Sequence, residues 1–173
     1  ARISGLCKKM GVLSLAGGVH ATALPKEVLE KSDFDIVVRS EGERTFLEIL
    51  KSLEKKEGFD HIKGISFRKN NKIIENGGVD FISNLDDLPY PAWDLIDKDR
   101  YAMTRNFFGG KYAIMLTSRG CPNICTFCQR PVTWKAQARF RSSEDVFNEI
   151  VELKEKHGFN CIFIEDDTFT LVK

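Results

Sequence analysis

The sequence predicts an α/β protein whose strands are joined by helical crossovers. Short apolar runs such as 161–164 are typical of buried strands, because strands of a parallel sheet are covered on both faces. Apolar residues at helical spacing occur between such runs, as in 43–55. Strands and helices alternate along the chain, which favours a doubly wound sheet.

Composition restricts the class of protein. Of 173 residues, 42% are apolar and 29% are charged, as in a globular domain. The longest apolar stretches, near 12–16 and 161–164, are far shorter than the ~20 residues of a membrane span. The net charge of +1 gives no overall signal for a polyanionic partner. No basic-then-apolar leader opens the chain, so we expect a cytoplasmic protein without a membrane span.

The N-terminal half begins with the end of a helix in residues 1–11. A strand over 12–16 then ends at Gly17 and Gly18, where the absence of side chains lets a ligand approach the backbone. A short helix runs from Pro25 to about residue 31, since proline suits the first helical position.

A second strand and a longer helix follow. The strand is predicted over 35–39 and the helix over 43–55. Residues 64–68 and 72–75 then form a hairpin, and the Pro-containing segment 86–93 is predicted to be a semi-rigid linker. The predicted apolar stripe of the 43–55 helix comprises Phe46, Leu47, Ile49, Leu50 and Leu53.

The C-terminal half reads as strand, loop, helix and strand. The first strand spans 112–117 and the second 161–164, and Ser142 or Ser143 caps a helix that Gly158 stops. A crossover of this length implies parallel strands. The predicted apolar stripe of the helix contains Val146, Ile150 and Leu153, widened by Phe147 and Val151.

Three thiols lie close together after the first of these strands. Cys121, Cys125 and Cys128 fall within eight residues, and five cysteines in all argue against a disulfide scaffold. A metal would prevent both thiolate repulsion and oxidation. Zinc would need a fourth ligand, either Cys161 or His157. Three thiolates also suit three corners of a cubane iron–sulfur cluster, whose fourth iron stays open for a small molecule.

Charges around the loop favour an anionic occupant. Six basic residues and no acidic ones lie between Lys111 and Arg141, which suits an anionic cluster and a carboxylate-bearing ligand. A zinc-stabilised nucleic-acid-binding module that uses the basic stretch 111–141 is the alternative, because Trp134 and Phe140 alternate with the cations. Three acids, Glu165-Asp166-Asp167, end the second strand at the sheet edge where α/β proteins bind ligands.

The cysteine spacing resembles a known family. Cys121-x3-Cys125-x2-Cys128, with Phe127 before the third cysteine, is similar to the signature of the radical S-adenosylmethionine (radical SAM) enzymes. The flanking segments 117–122 and 165–170 resemble the subgroup that carries an N-terminal cobalamin-binding domain.

The resemblance implies an enzyme with a [4Fe–4S] cluster on the three cysteines and S-adenosylmethionine on the open iron. Reductive cleavage would yield a 5′-deoxyadenosyl radical that attacks an unactivated carbon of a small-molecule substrate, and the reaction is oxygen-sensitive. An electron donor such as flavodoxin or ferredoxin is implied. Methyl transfer or cyclisation with cobalamin is the suggested outcome, although the sequence leaves cobalamin binding open.

The resemblance also implies binding residues, while no catalytic residue is assigned beyond the cluster ligands. The backbone at Phe127 would contact adenine, and one of Glu165, Asp166 and Asp167 would hold the methionine ammonium in place of the usual Gly-Gly-Glu. Gly17 and Gly18 would lie near the nucleotide tail of cobalamin. The cobalt-ligating Asp-x-His-x-x-Gly element is absent, and His20 does not replace it.

The predicted domain organisation has three parts. Residues 1–57 form the C-terminal portion of a cobalamin-binding-like domain, 58–110 a hairpin and Pro-rich linker, and 111–173 the start of a radical SAM core. The resemblance implies that this core is a partial (β/α) barrel, of which the chain holds the first βαβ unit. A closed barrel needs ~200 or more residues, so we expect a piece of a larger enzyme that is inactive alone. A methylthio-transferring relative is a further alternative, but its second cluster would have only Cys7 as ligand.

Overall fold

The computed structural model describes residues 2–98 and 111–171, so residues 99–110, the end of the predicted part 58–110, lie outside the described residues. The chain divides into two compact units. One unit comprises Ala1–Ile82 with Ile124–Lys135, and the other comprises Ser83–Asn123 with Ala136–Lys173. In the described part of the chain no helix is long and apolar enough to span a bilayer.

The first unit contains a four-stranded mixed sheet in the order β1–β2–β3–β4. Strands β1 (Leu15–Ala16) and β2 (Ile36–Val38) pair in parallel, as the alternating pattern predicts. Strands β3 (Ile65–Lys69) and β4 (Lys72–Glu75) extend the sheet in antiparallel pairing, β3 beside β2. The described sheet is therefore only partly parallel, and the predicted hairpin is an extension of it.

The turn between β3 and β4 confirms the hairpin. Asn70 and Asn71 have φ angles of 49° and 58°, and Lys69 pairs with Lys72 across the turn. Two successive left-handed residues define a type I′ turn, whose twist matches that of the strands, and asparagine tolerates this conformation better than most residues.

Among the described residues, five helices belong to the first unit. The predicted helices at 25–31 and 43–55 are confirmed, the former with proline at its first position. A helix of five residues directly after the cysteine motif was not predicted. The bounds are α1 Arg2–Lys9, α2 Val19–Ala23, α3 Pro25–Lys31, α4 Glu43–Lys55 and α5 Arg130–Trp134.

The core of the first unit corrects the predicted stripe of α4. Of the five predicted apolar residues only Ile49 is buried, together with Ser52 one turn further along the helix. Ile49 packs with residues of β2 and β3. The helix therefore faces the sheet through the row of Ile49 and Ser52. The apolar residues beside that row, Phe46, Leu47, Leu50 and Leu53, stay 42–49% exposed.

In the second unit β5 (Tyr112–Met115) and β8 (Cys161–Ile164) are parallel, with Tyr112 opposite Cys161, as predicted. Two short strands that were not predicted, β6 (Ser118–Arg119) and β7 (Arg139–Phe140), pair antiparallel. Two 3₁₀ turns, Leu85–Asp87 and Trp93–Leu95, precede β5.

Helix α6 (Ser143–Glu155) connects to β8 and is capped as predicted. The Ser142 hydroxyl accepts a hydrogen bond from the backbone N–H of Asp145 (3.1 Å). Leu153 lies in the core, whereas Phe147 and Val151, which were predicted to widen the stripe, are exposed. Trp93 of the predicted linker stacks edge-on against Phe159 at 4.8 Å, inside this core.

Candidate functional site

The cysteine loop starts and ends at the β6–β7 ladder of the second unit. Ser118 pairs with Phe140, and Arg119 with Arg139. The backbone N–H of Arg141 adds a hydrogen bond to the carbonyl of Thr117 (2.9 Å). The ladder fixes the two ends of the loop next to the C-terminal end of β5.

Cys121 belongs to the second unit and is half-buried. Its Sγ accepts hydrogen bonds from the Thr168 hydroxyl (3.4 Å) and from the Asn123 side-chain amide (3.3 Å). Thr168 follows the acidic cluster after β8. The contact therefore joins the first cysteine to the end of the second parallel strand.

Cys125 and Cys128 belong to the first unit, where Cys125 is exposed and Cys128 half-buried. The N–H of Cys128 donates to the carbonyl of Cys125 (3.0 Å), which closes a tight turn. Phe127 lies in this turn with 92% of its surface exposed. Its side chain is therefore not part of a core, and its predicted role beside adenine stays a prediction.

The chemistry of these donors fits an iron–sulfur cluster, which is held by cysteine thiolates. All five cysteines are free thiols. Among residues 2–98 and 111–171, no three Cys, His, Asp or Glu side chains are grouped closely enough to hold one metal ion. Corner ligands of a cubane bind different irons and need not converge on one point.

The acids after β8 differ in their surroundings. The Asp166 carboxylate accepts hydrogen bonds from the backbone N–H groups of Thr117 (2.7 Å) and Ser118 (3.0 Å), and from the Thr117 hydroxyl. Glu165 is exposed, while its backbone N–H donates to Met115 (3.0 Å). Asp166 thus joins the ends of β5 and β8, and Glu165 presents its carboxylate to solvent.

A buried ion cluster supports the same loop. Arg141 donates to Asp145 (2.6 Å), to Glu149 and to the carbonyl of Leu116 (2.9 Å). Burial alone would lower the pKa of Arg141, but the hydrogen bonds with Asp145 and Glu149 outweigh burial and raise this pKa. The Tyr90 hydroxyl donates to Asp145 (2.9 Å), and burial followed by this bond raises the pKa of Tyr90 to about 12.

The basic stretch is therefore not a row of free cations. Arg141 is held by two carboxylates, and Lys135 lies 5.8 Å from the Phe81 ring. The other four basic residues, Lys111, Arg119, Arg130 and Arg139, have interaction partners as well. The alternative of a nucleic-acid-binding module is not supported.

The Gly17–Gly18 turn opens onto a cavity of about 450 Å³ at the C-terminal ends of β1 and β2. Gly18 has a φ of 92°, which favours glycine, and a side chain added there would meet nothing within 4 Å. Ser40 and Phe46 also line this cavity. The cavity leaves room for part of a ligand beside exposed backbone, and the approach of a cobalamin nucleotide tail to Gly17 and Gly18 stays a prediction. His20 lies exposed in the short helix α2.

Several residues of the site were not predicted. They are Thr117, Thr168, Tyr90 and Arg141. The first three make hydrogen bonds to residues 47 to 55 positions away, and Arg141 binds at the base of the cysteine loop. None of the four belongs to a periodic pattern in the sequence. The only signal in the sequence was the position of Thr117 and Thr168 inside the two segments that flank the motif in the family resemblance.

Comparisons with known proteins agree with this geometry. Residues 115–173 match the family model of the Radical SAM superfamily. An uncharacterized methyltransferase of Pyrococcus horikoshii is 35% identical over 94% of this chain and 35% of its own length. An anaerobic magnesium-protoporphyrin IX monomethyl ester cyclase of Synechocystis is 33% identical over 91% of this chain and 31% of its own.

A solved structure has the same fold. The radical S-adenosylmethionine methyltransferase TsrM from Kitasatospora setae, with cobalamin and a [4Fe-4S] cluster bound, superimposes with a TM-score of 0.65 at 17% identity. The match covers 91% of this chain and 31% of TsrM. The similarity to the Radical SAM superfamily model thus lies in residues 115–173, and the chain spans about a third of the length of the relatives it matches.

Proposed function

We propose that this chain is part of an enzyme that cleaves S-adenosylmethionine reductively at a [4Fe–4S] cluster. The observation that carries the proposal is the motif of three free thiols, Cys121, Cys125 and Cys128, of which all lie within the matched segment 115–173. Such a cluster supplies one electron to the sulfonium of the bound cofactor. The three thiolates would hold the cluster, and its remaining iron would be open to S-adenosylmethionine.

We propose that Glu165 is the acceptor for the methionine ammonium. Asp166 already accepts hydrogen bonds from Thr117 and Ser118, whereas Glu165 is exposed and only its backbone N–H is bound to the end of β5, at the Met115 carbonyl. A charge-assisted hydrogen bond from an ammonium needs such an acceptor. Asp167 and the backbone at Phe127 remain further candidates for the methionine and adenine ends.

We propose cobalamin as a second cofactor at the Gly17–Gly18 turn, with methyl transfer or cyclisation on a small molecule as the reaction. The cavity of about 450 Å³ at that turn supports the assignment, as does the cobalamin in TsrM. The two relatives reported above are named as a methyltransferase and as a cyclase, which are the two reactions proposed here. We keep 1–57, 58–110 and 111–173 as the proposed domain boundaries.

A one-electron reaction also requires a partner and a compartment. We propose an electron donor such as flavodoxin or ferredoxin, because the proposed cluster must receive one electron before it can cleave the sulfonium. Five free thiols suit a reducing compartment, which supports the cytoplasm as the location.

Anaerobic reconstitution with iron and sulfide tests the proposal. We expect about four irons per chain and a brown, reducible chromophore. Cys125→Ala should abolish both, because the cluster loses one of its three ligands. Cys7→Ala is the matched control and should retain full iron. A colourless protein that binds one zinc, or an unchanged iron content in Cys125→Ala, would contradict the proposal.

A further inference from the structure

A chain of hydrogen bonds starts at the Gly17–Gly18 turn of the first unit. The Thr22 hydroxyl donates a hydrogen bond to the carbonyl of Gly18 (2.9 Å), and the Thr22 hydroxyl oxygen accepts one from the backbone N–H of Ser40 (2.8 Å). Ser40 follows β2 and lines the cavity beside the turn. Thr22 therefore links the turn after β1 to the residue after β2.

The chain continues to the cysteine segment. The Ser40 hydroxyl donates to the carbonyl of Thr133 (2.9 Å), which lies in α5. The Thr133 hydroxyl donates to the side-chain oxygen of Gln129 (2.9 Å), the residue directly after Cys128. Thr133 is itself buried, with 7% of its surface exposed. Five residues thus connect the turn to the last cysteine of the motif through four hydrogen bonds.

The backbone of Ser40 has an uncommon conformation. Its φ of 60° lies in the left-handed region, which residues other than glycine, asparagine and aspartate seldom adopt. Such a conformation persists where surrounding contacts fix it. Here the N–H is held by Thr22 and the hydroxyl by Thr133, so the strained backbone is what aims the hydroxyl at α5.

We propose that Ser40 is a positioning residue that fixes α5, and with it Cys128, relative to the Gly17–Gly18 turn. The inference rests on the proposed function in one respect, namely that Cys128 holds a cluster. Ser40 touches no reacting atom and acts through Thr133 and Gln129. Its role is to keep the segment that carries two of the cluster ligands at a set place beside the proposed cobalamin cavity.

Hydrogen–deuterium exchange of the full chain without cofactors is the first test. Ser40→Gly removes the hydroxyl and leaves the left-handed backbone unstrained. We expect exchange over residues 128–134 to become about fivefold faster, as for the loss of one net hydrogen bond, with β2 unchanged. Lys56→Gly is the matched control, since Lys56 also has a positive φ (57°) but caps α4. Equal exchange over 128–134 in both variants overturns the proposal.

The second test uses the reconstituted cluster. We expect Ser40→Gly to broaden the low-temperature EPR spectrum of the reduced cluster, because Cys128 then samples several positions, and to speed cluster loss to a chelator about fivefold. Lys56→Gly should give the wild-type spectrum. An unchanged spectrum in Ser40→Gly overturns the role in cluster positioning. A wild-type chain that takes up no iron would refute the proposed function, while the exchange comparison would still decide whether Ser40 fixes α5.

Discussion

Tyr90 has a hydroxyl held by Asp145, which sits 55 positions further along the chain. Burial first, and then the hydrogen bond with this carboxylate, raises the pKa of Tyr90 to about 12. In the unfolded chain the phenol titrates near 10, so the folded value is the higher one. The stabilisation is therefore fully present below about pH 10 and is lost as the pH rises through 12.

We expect the free energy of unfolding of the second unit to fall between about pH 10 and pH 12. Tyr90→Phe should remove the part of this dependence that belongs to Tyr90, because phenylalanine carries no proton. The measurement is denaturant unfolding across this pH range, with ultraviolet titration of tyrosinate beside it. A Tyr90 that ionises near pH 10 in the folded protein would refute the prediction.

At the scale of the elements, Asp166 joins the ends of two parallel strands, and Glu165 does not. We expect Asp166→Ala to lower the free energy of unfolding by about 1.5–3 kcal/mol, because the N–H groups of Thr117 and Ser118 lose a charged acceptor. Glu165→Ala should change it by less than about 0.5 kcal/mol, as for an exposed side chain. Urea denaturation distinguishes the two variants.

The affinity of the reconstituted protein for S-adenosylmethionine should depend more on Glu165 than on Asp166, the opposite of the order expected for stability. Glu165→Ala should weaken binding about tenfold, as for the loss of a charge-assisted hydrogen bond. The reverse result, with Glu165→Ala unstable and binding intact, would exchange the roles assigned to these carboxylates.

The longer elements could be predicted from the sequence. Helix α4 has the predicted bounds, and β8 has its predicted range, because each carries a strong local pattern. Strands β6 and β7 have two residues each and α5 has five, which is too short for a periodic signal. The five apolar residues of α4 suggested a wider buried face than the one observed. Periodicity identifies the apolar face of a helix, but it does not show how much of that face the sheet covers.

The site could be predicted only where its chemistry is contiguous. The three cysteines and the acids after β8 are visible as motifs. The different roles of Glu165 and Asp166 could not be predicted, because the hydrogen-bond partner that distinguishes Asp166 is Thr117, almost fifty residues away in the sequence. The link from Ser40 to Thr133 spans 93 positions and has no sequence signature at all.

At the scale of the whole molecule, each unit has its own core and should respond separately to damage. Arg141→Met leaves the buried Glu149 carboxylate, 4% exposed, without its cation. We expect this to cost the second unit about 3–5 kcal/mol. The strands of the first unit should change by no more than about 0.5 kcal/mol, since they share no partners with Arg141.

Native-state hydrogen exchange measures the loss of stability separately in β8 of the second unit and in β2 of the first. Arg141→Lys keeps the charge but loses the forked geometry, so its effect on β8 should be smaller. Equal losses of protection in β2 and β8 would show that the chain unfolds as one cooperative body and would contradict the prediction.

The hydrogen bonds received by the sulfur of Cys121 have an electronic consequence. Donors such as the Thr168 hydroxyl and the Asn123 amide withdraw electron density from a thiolate. Less charge on the ligand favours the reduced form of a bound centre, so hydrogen bonds of this kind move its redox potential upward. In the cluster proposed at Cys121, the hydroxyl of Thr168 would thus make the centre easier to reduce without contacting any iron.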